Sequence, residues 1–493
     1  LVQILRNARS SKDERVPTRL VQNTKKMIQL RNYQTQLIED TRREFVKGHN
    51  HVVLQLATGG GKTVIFTHIV KEASAKGRKC LILTNRVELL EQAGGTFSNF
   101  GIKYENITAS TRAVPTGLVM VAMVETMKRR AVARLDFQMF LKSIDLLIID
   151  EVHIAAFDPI FPYLKDTCYV VGVTATPTRQ GKKHLCDNFS SIVSGPSILR
   201  LINDGFLSSP KYFGVSVDLS KVKMKAGEFD ERDQERVFSE VKVFEGLKEN
   251  LALHAKGLKT MIFCPSVQSS LNVAHELGCL HVDGTMNPSD RDRILTQFEN
   301  TPGAVITNCA ITTTGYDHPG IECIVLYRAT TSLPLYLQMI GRGSRVTQTK
   351  RNFIILDFGM NVQRHGYWHI DREWSLKPPK TKSKKKDVFP VKFCPSCGAI
   401  VSVNVKTCEH CGFVWMQTEK ERVFAELQEL SYSEINKRMN GASIEEMEEL
   451  RISKGYKVGF LLHKFKELNQ FEEYAKLRGF KKGWVEHNAK IYL

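Results

Sequence analysis

Leu56-Ala57-Thr58-Gly59-Gly60-Gly61-Lys62-Thr63 stands between an apolar run, His51-Val52-Val53-Leu54-Gln55, and Val64-Ile65-Phe66-Thr67-His68-Ile69-Val70. The first flank reads as a buried strand and the second as the start of a helix. Strand, glycine-rich turn and helix N-terminus together cradle a nucleoside triphosphate, because backbone N–H groups converge there on phosphate oxygens. Gly59, Gly60 and Gly61 allow that approach with no Cβ in the way. Lys62 would reach the β- and γ-phosphates, and the Thr63 hydroxyl would ligate Mg2+. The stretch departs from G-x-x-x-x-G-K-[ST] at its first position, which Leu56 occupies.

Further along, Ile144-Asp145-Leu146-Leu147-Ile148-Ile149-Asp150-Glu151-Val152-His153 is an apolar strand ending in adjacent carboxylates. Asp150 can hold Mg2+ through its water shell, and Glu151 can polarise an attacking water. Taken alone, such a run is a buried strand ending in a solvated acidic turn. After the glycine-rich segment it reads as the second half of a nucleotide site.

The motifs and their order resemble those of superfamily 2 helicases of the DEAH-like type, in particular phage and bacterial DNA helicases with a C-terminal zinc ribbon. Leu30-Arg31-Asn32-Tyr33-Gln34 resembles the adenine-reading element. Leu83 to Gln92 and Val119 to Met127 resemble strand-contacting motifs. Asp150-Glu151-Val152-His153 carries valine where alanine is usual, and Thr174-Ala175-Thr176-Pro177 follows it. Met261 to Ser266, Ile306-Thr307-Asn308 with Thr314-Gly315-Tyr316-Asp317-His318-Pro319, and Gln338-Met339-Ile340-Gly341-Arg342-Gly343-Ser344-Arg345 complete the series. Thr314 replaces a glutamate common among relatives. The resemblance covers about residues 30–375.

The resemblance implies ATP contacts from Arg31, Gln34 as the base reader, Thr58 to Thr63, Gly315 and Asp317. It assigns catalysis to Lys62, Asp150, Glu151, Gln338, Arg342 and Arg345, magnesium to Thr63 and Asp150, and strand contacts to Arg86 and Thr126. Arginine fingers are worth about 10³–10⁵ in rate. If Arg342 and Arg345 lie on a second domain, hydrolysis requires the domains to close, and closing and opening on ATP is a mechanical stroke.

That second domain has its own rhythm. Thr260 to Pro265, Gly303 to Thr307 and Cys323 to Tyr327 read as buried strands, separated by amphipathic stretches such as Ser289 to Glu299. The expected class is α/β: two tandem RecA-like parallel-sheet domains, then a small zinc ribbon and a helical C-terminal region. The expected order is a basic arm at 1–30, an ATP-binding domain at 31–205, a bridging segment at 206–245, and a second RecA-like domain at 246–376. A basic linker at 377–390, the ribbon at 391–415 and a helical region at 416–493 follow.

The chain has 493 residues, 42% of them hydrophobic, with 70 Lys+Arg against 52 Asp+Glu and a formal charge of +18. The hydrophobic share excludes a mainly disordered chain, and no run of 18 apolar residues predicts a membrane span. The positive excess points to a polyanion such as nucleic acid. The first 30 residues read as a flexible basic arm rather than a transit peptide, since Asp13 and Glu14 interrupt the basic run. Lys377 to Lys386 mixes prolines with like charges, so it is a solvated spacer or a phosphate-tracking linker.

Cys394-Pro395-Ser396-Cys397-Gly398 and Cys408-Glu409-His410-Cys411-Gly412 form C-x₂-C pairs. Each makes a tight turn aiming two thiolates at one ion, with the glycine permitting φ > 0. Four thiolates suit tetrahedral Zn2+; an iron–sulfur cluster and disulfides are the alternatives. Cys80, Cys264 and Cys309 sit in strand-like runs and read as buried small hydrophobes.

Near the C-terminus, Gly455-Tyr456-Lys457-Val458-Gly459-Phe460-Leu461-Leu462-His463 recurs as Gly479-Phe480-Lys481-Lys482-Gly483-Trp484-Val485-Glu486-His487. Each copy follows an amphipathic helix. Lys457, Lys481 and Lys482 beside aromatics could grip a nucleic-acid strand; alternatively the aromatics pack the units together.

The expected activity is ATP-dependent DNA unwinding, translocation or branch migration, in the cytoplasm of a bacterial cell or phage-infected host, with no membrane and no protein partner. RNA unwinding is the nearest rival, because motor domains grip phosphates rather than bases. A zinc-ribbon binding protein with an ATP-gated switch is the third reading.

Overall fold

The computed structural model describes residues 29–85, 96–179, 183–215, 217–309, 316, 318–377, 389–415, 443–453, 458–462 and 465–492. It divides into two compact units, Leu1–Gly412 and Phe413–Leu493.

The first unit holds two parallel sheets. The first sheet comprises β1 (His51–Gln55), β2 (Cys80–Thr84), β3 (Glu105–Ile107), β4 (Val119–Met123), β5 (Leu146–Asp150), β6 (Tyr169–Thr174) and β7 (Ser191–Ser194). Its strands lie in the order β3-β4-β2-β5-β6-β1-β7, every pair parallel. β2 and β5 are buried at every position, as strands covered on both faces must be. Gln55 registers with Thr174, and Asp150 with Val173. β6 therefore separates the strand feeding the glycine-rich turn from the strand ending in Asp150, and all three end at one edge of the sheet.

The second sheet comprises β8 (Ser209–Gly214), β11 (Thr260–Phe263), β12 (Leu280–Asp283), β13 (Val305–Cys309), β14 (Cys323–Leu326) and β15 (Asn352–Asp357). Its order is β12-β13-β11-β14-β15-β8, again all parallel. The helix expected at Ser289 to Glu299 runs Pro288–Asn300, where the Asn287 side chain accepts from the Asp290 N–H and caps its start. One expectation is corrected. The bridging segment placed at 206–245 begins inside this sheet, since β8 is its edge strand, paired along its whole length with β15. A two-residue-stranded hairpin, β9 (Met224–Lys225) with β10 (Glu228–Phe229), and a helix, Glu231–Phe238, then lie in the crossover from β8 to β11, inside the second domain.

The apolar core is continuous across the seam between the sheets: Leu54 and Ile148 of the first share a cluster with Met261, Leu337 and Trp368 of the second. After β15 the chain turns back, and Leu376 packs on the far side of the first sheet.

The cysteine ribbon lies against β8. Its strands β16 (Val391–Phe393) and β17 (Ile400–Ser402) pair antiparallel. Gly214 N–H donates to the Gly398 carbonyl at 3.0 Å, and Phe213 bridges Ala399. An unpaired sheet edge invites foreign strands, and here the ribbon covers it.

The second unit is helical among its described residues: Ile444–Ser453, Val458–Leu462, Leu468–Arg478 and Lys482–Tyr492. Gly479 closes the third helix at φ +70°, the C-cap its position suggested. Phe480 stacks on Trp484 at 4.6 Å, and both pack against Tyr474. These aromatics therefore serve the core of the unit.

Candidate active site

The glycine-rich turn adopts its expected strain-free form. Gly59 and Gly61 have φ of +83° and +85°, and the helix begins at Lys62 with Gly61 as its N-cap. A Cβ on Gly61 would lie 2.5 Å from the Gln34 side-chain nitrogen. Lys62 Nζ donates to the Leu56 carbonyl at 3.4 Å, so its ammonium lies within the turn that would hold phosphates.

The element at Arg31 to Gln34 grips this turn. Tyr33 Oη donates to the Gly60 carbonyl at 2.7 Å, and Gln34 Nε2 to the same oxygen at 3.2 Å. Gln34 Oε1 accepts from the Arg31 backbone N–H at 2.9 Å. Gln34 is thus tied to the glycine-rich turn, a link beyond the base-reading role the sequence suggested. Burial raises the Tyr33 pKa against the opposing pull of Arg31, so its hydroxyl remains a donor. Arg31 lies over the Phe206 ring at 4.6 Å, with Tyr33 at 5.3 Å from the same ring. These three line an open cavity of about 920 Å3 beside the turn.

Asp150 and Glu151 are buried at the end of β5. Glu151 has φ +52°, a left-handed conformation that costs a non-glycine residue of order 1–3 kcal/mol and marks functional sites. Its Oε2 lies 3.3 Å from His153 Nδ1 and 3.4 Å from the Thr174 hydroxyl. Thr174 in turn accepts from the Thr176 N–H at 3.1 Å, and Gln55 Nε2 donates to the Ala175 carbonyl at 3.1 Å. The carboxylate, the Thr174–Pro177 loop and β1 thus form one network.

The second sheet supplies the opposite wall. A Cβ on Gly341 would stand 2.6 Å from Thr58 Cβ; one on Gly59 would stand 2.9 Å from Leu207, 3.1 Å from the Ser344 hydroxyl and 3.8 Å from the Arg345 side chain. Ser208 N–H donates to the Ser344 carbonyl at 2.6 Å, and its hydroxyl to the Arg345 carbonyl at 2.9 Å. Gln338 and Arg342 are buried, and an Arg342 guanidinium N–H donates to the Tyr316 carbonyl. Burial pulls the Arg345 guanidinium down to about 10, which leaves it charged at neutral pH.

The structure therefore brings together Gln34, Thr58, Gly59, Gly60, Gly61 and Lys62 with Arg345, and buries Asp150, Glu151, Gln338 and Arg342 nearby. Thr63 lies in the first helical turn after the glycines. Thr126 is half-buried at the start of the helix Val124–Ala133. Arg86, Gly315, Asp317 and Lys457 fall outside the described residues, as does the Lys482 side chain; Lys481 is exposed. Phe206, Leu207 and Ser344 are contacts the sequence did not announce, because no local pattern distinguishes them.

The four ribbon sulfurs, of Cys394, Cys397, Cys408 and Cys411, lie within 4.8 Å of one another. Cys394 and Cys411 Sγ are 3.6 Å apart, and Cys397 and Cys408 Sγ 3.7 Å. Bonds of about 2.3 Å to one tetrahedral ion give nearly this separation, whereas a disulfide needs about 2.05 Å. Gly398 and Gly412 take φ of +70° and +74°, as each turn requires.

Comparison with known proteins agrees with this architecture. Residues 27–179 match the family "Type III restriction enzyme, res subunit", and residues 242–347 match "Helicase conserved C-terminal domain". Residues 392–417 match an uncharacterised protein family, UPF0547. A 51.5 kDa protein of a Lactococcus phage is 28% identical over 76% of this chain and 81% of its own length. The "Putative mitochondrial ATP-dependent helicase irc3" of Schizosaccharomyces pombe is 31% identical over 70% of this chain, which spans 59% of that protein. A solved fragment of "a putative HsdR subunit of a type I restriction enzyme" from Vibrio vulnificus shares the fold, with a TM-score of 0.55 at 21% identity over 68% of this chain and 66% of that one. With the two halves of the helicase core matched in tandem and meeting at the glycine-rich turn, the chain belongs to the superfamily 2 helicases, a family of ATP-hydrolysing enzymes.

Proposed function

We propose that the chain is an ATP-driven DNA translocase that unwinds or branch-migrates forked and branched DNA. The observation that carries this reading is the seam itself: Gly341, Ser344 and Arg345 of the second domain stand against Thr58 and Gly59 of the first. Phosphates held by the turn would meet Lys62 from one side and Arg345 from the other, and Arg342 follows the same helix. Glu151, held by Thr174 and flanked by His153, would orient and deprotonate the attacking water. Thr63 and Asp150 would hold Mg2+, which when bound neutralises developing charge on the phosphates. Loss of the γ-phosphate removes what draws Arg345 to the seam, so the domains part and strand contacts on each advance. Cys394, Cys397, Cys408 and Cys411 would hold Zn2+ in a closed structural site.

ATP turnover measured with duplex DNA, forked DNA, four-way junctions and RNA at matched salt tests the reading. Forked or branched DNA is expected to stimulate most; stronger stimulation by RNA would transfer the assignment to an RNA helicase. Glu151→Gln is expected to retain ATP binding while lowering turnover by about 10²–10⁴. A wild-type protein with no turnover on any polynucleotide would leave a nucleotide-gated binding protein instead.

A further inference from the structure

The crossover from β8 to β11, inside the second domain, grips the helix that carries Gln338 and ends at Arg342. The β9–β10 hairpin turns through Ala226 and Gly227, with φ of +51° and +85°. Two positive φ values make the tight turn whose twist suits a hairpin and fixes its register. That register brings Glu228 to the start of the helix Leu333–Gly341. Its carboxylate accepts from the Thr330 hydroxyl at 2.7 Å, from Thr331 N–H at 2.8 Å and from Ser332 N–H at 3.2 Å. The Thr331 hydroxyl donates to the Gly227 carbonyl. Gln234, fully buried, accepts from Ala329 N–H at 2.8 Å. Arg364 lies over Phe229 at 4.7 Å and pins the hairpin from the far side. Burial works against ionisation of Glu228, yet the bonds from Thr330, Phe229 and Thr331 keep its carboxyl below the usual range. A negative charge here also complements the helix dipole.

Helix Leu333–Gly341 spans roughly 13 Å at about 1.5 Å per residue. Gln338 sits within it, and Arg342 is its C-cap. Tyr336 to Gly341 are all buried, so a shift at the start of the helix would be carried along it to Arg342 at its end.

We propose that Glu228 is a positioning residue for catalysis: by clamping the first turn of this helix from the β8–β11 crossover, it sets where Arg342 and Gln338 meet the nucleotide. The assignment rests on the ATP-hydrolysing reading given above. It makes the crossover part of the catalytic geometry, because Glu228 holds the start of the helix that ends at Arg342.

The test uses the full chain and DNA-stimulated ATP turnover. Glu228→Ala is expected to lower kcat by about tenfold to a hundredfold, the cost of a displacement near 1 Å, with KM for ATP changed less than about twofold since the phosphate turn is untouched. Glu228→Gln, whose amide oxygen can replace Oε2 in accepting from the Thr330 hydroxyl and the Ser332 N–H but leaves the Thr331 N–H without its acceptor, is expected to restore part of kcat. In single-turnover measurements, Glu228→Ala is expected to cost less in the Arg342→Ala background than in the parent, the remainder being the displacement of Gln338. Equal kcat losses in the Arg342 and Arg342→Ala backgrounds would overturn the clamp, as would wild-type kcat in a folded Glu228→Ala protein. Turnover abolished by Arg342→Ala but untouched by Glu228→Ala would sink the clamp alone; absence of wild-type turnover would sink the motor reading and the clamp with it.

Discussion

Single atoms decide whether the seam can close. Gly341 ends a helix, where alanine would favour the local conformation, so any cost of Gly341→Ala comes from the Thr58 side chain that the new methyl meets at 2.6 Å. That contact joins two domains, whereas the fold of each is unaffected. Crowding of this kind costs about 1–3 kcal/mol, here charged against closure alone. Gly341→Ala is therefore expected to melt like the parent protein while losing about fivefold to a hundredfold in ATP turnover, because 1.4 kcal/mol is a factor of ten. Parallel thermal denaturation and steady-state ATPase assays check it; unchanged turnover would mean that closure during hydrolysis differs from the seam seen here. Glu151 shows the same economy of scale. Its left-handed backbone is held by the Thr174 and His153 contacts, and that network fixes the carboxylate at the strand's end.

Among elements, the helices of the second unit turn on one buried carboxylate. Glu448, 5% exposed, accepts from Arg451 at 2.6 and 2.8 Å and from the Tyr474 hydroxyl at 2.9 Å, with Arg478 at 3.3 Å. The Arg451 bonds hold its pKa below the ordinary carboxylate value, against the opposing effect of burial. A depressed folded pKa contributes stability that is full above the unfolded carboxylate pKa of about 4.3 and is lost as pH falls through the folded value. Breaking such a buried pair costs about 3–5 kcal/mol. At neutral pH, Glu448→Gln is expected to speed hydrogen exchange across Leu468–Arg478 by at least about a hundredfold relative to the parent, and the gap should narrow as pH drops below about 4. A gap constant with pH would show that packing, not charge, holds these helices. No local pattern announces this pair, because Glu448 lies in a run of glutamates and its partner Tyr474 on another helix. Legibility elsewhere followed the same rule. β2, β5, β11 and β14 are buried on both faces and read as apolar runs, and the metal turns are local patterns of cysteine and glycine. β8 escaped notice since an edge strand tolerates Pro210 and Lys211, which break the apolar signal. Glu228 escaped because its partners lie about a hundred residues away in the chain.

Across the first unit, the ribbon and the nucleotide seam lie at the two ends of one continuous stretch of chain. Phe206 faces the open cavity beside the turn, Leu207 touches Gly59, and Ser208 holds Ser344 and Arg345. β8 follows at once and ends at Phe213 and Gly214, which pair with Ala399 and Gly398 of the ribbon. A Cβ on Gly214 would lie 2.9 Å from Ile400 and 3.0 Å from Phe393, so the ribbon fits this edge at backbone distance. His254 stacks on Phe213 at 3.9 Å, and His410 lies 5.2 Å from the same ring. The ribbon is too small to hold its own shape without a metal, since its two short strands bury few side chains. On the zinc assignment proposed above, losing the ion would loosen the ribbon from the end of β8, and the disturbance would enter the seam through Ser208. Stripping the metal with a chelator is expected to lower the melting temperature of the second domain by roughly 4–8 °C, equivalent to about 2 kcal/mol in a domain of this size, and to speed hydrogen exchange at Ser209–Gly214. ATP turnover should fall in step although no ribbon residue lines the nucleotide cavity, and Zn2+ should restore both. Cys397→Ser with Cys408→Ser should reproduce the chelated state. A stripped protein with parental melting and exchange at β8 would show that the ribbon rests on the sheet without supporting it.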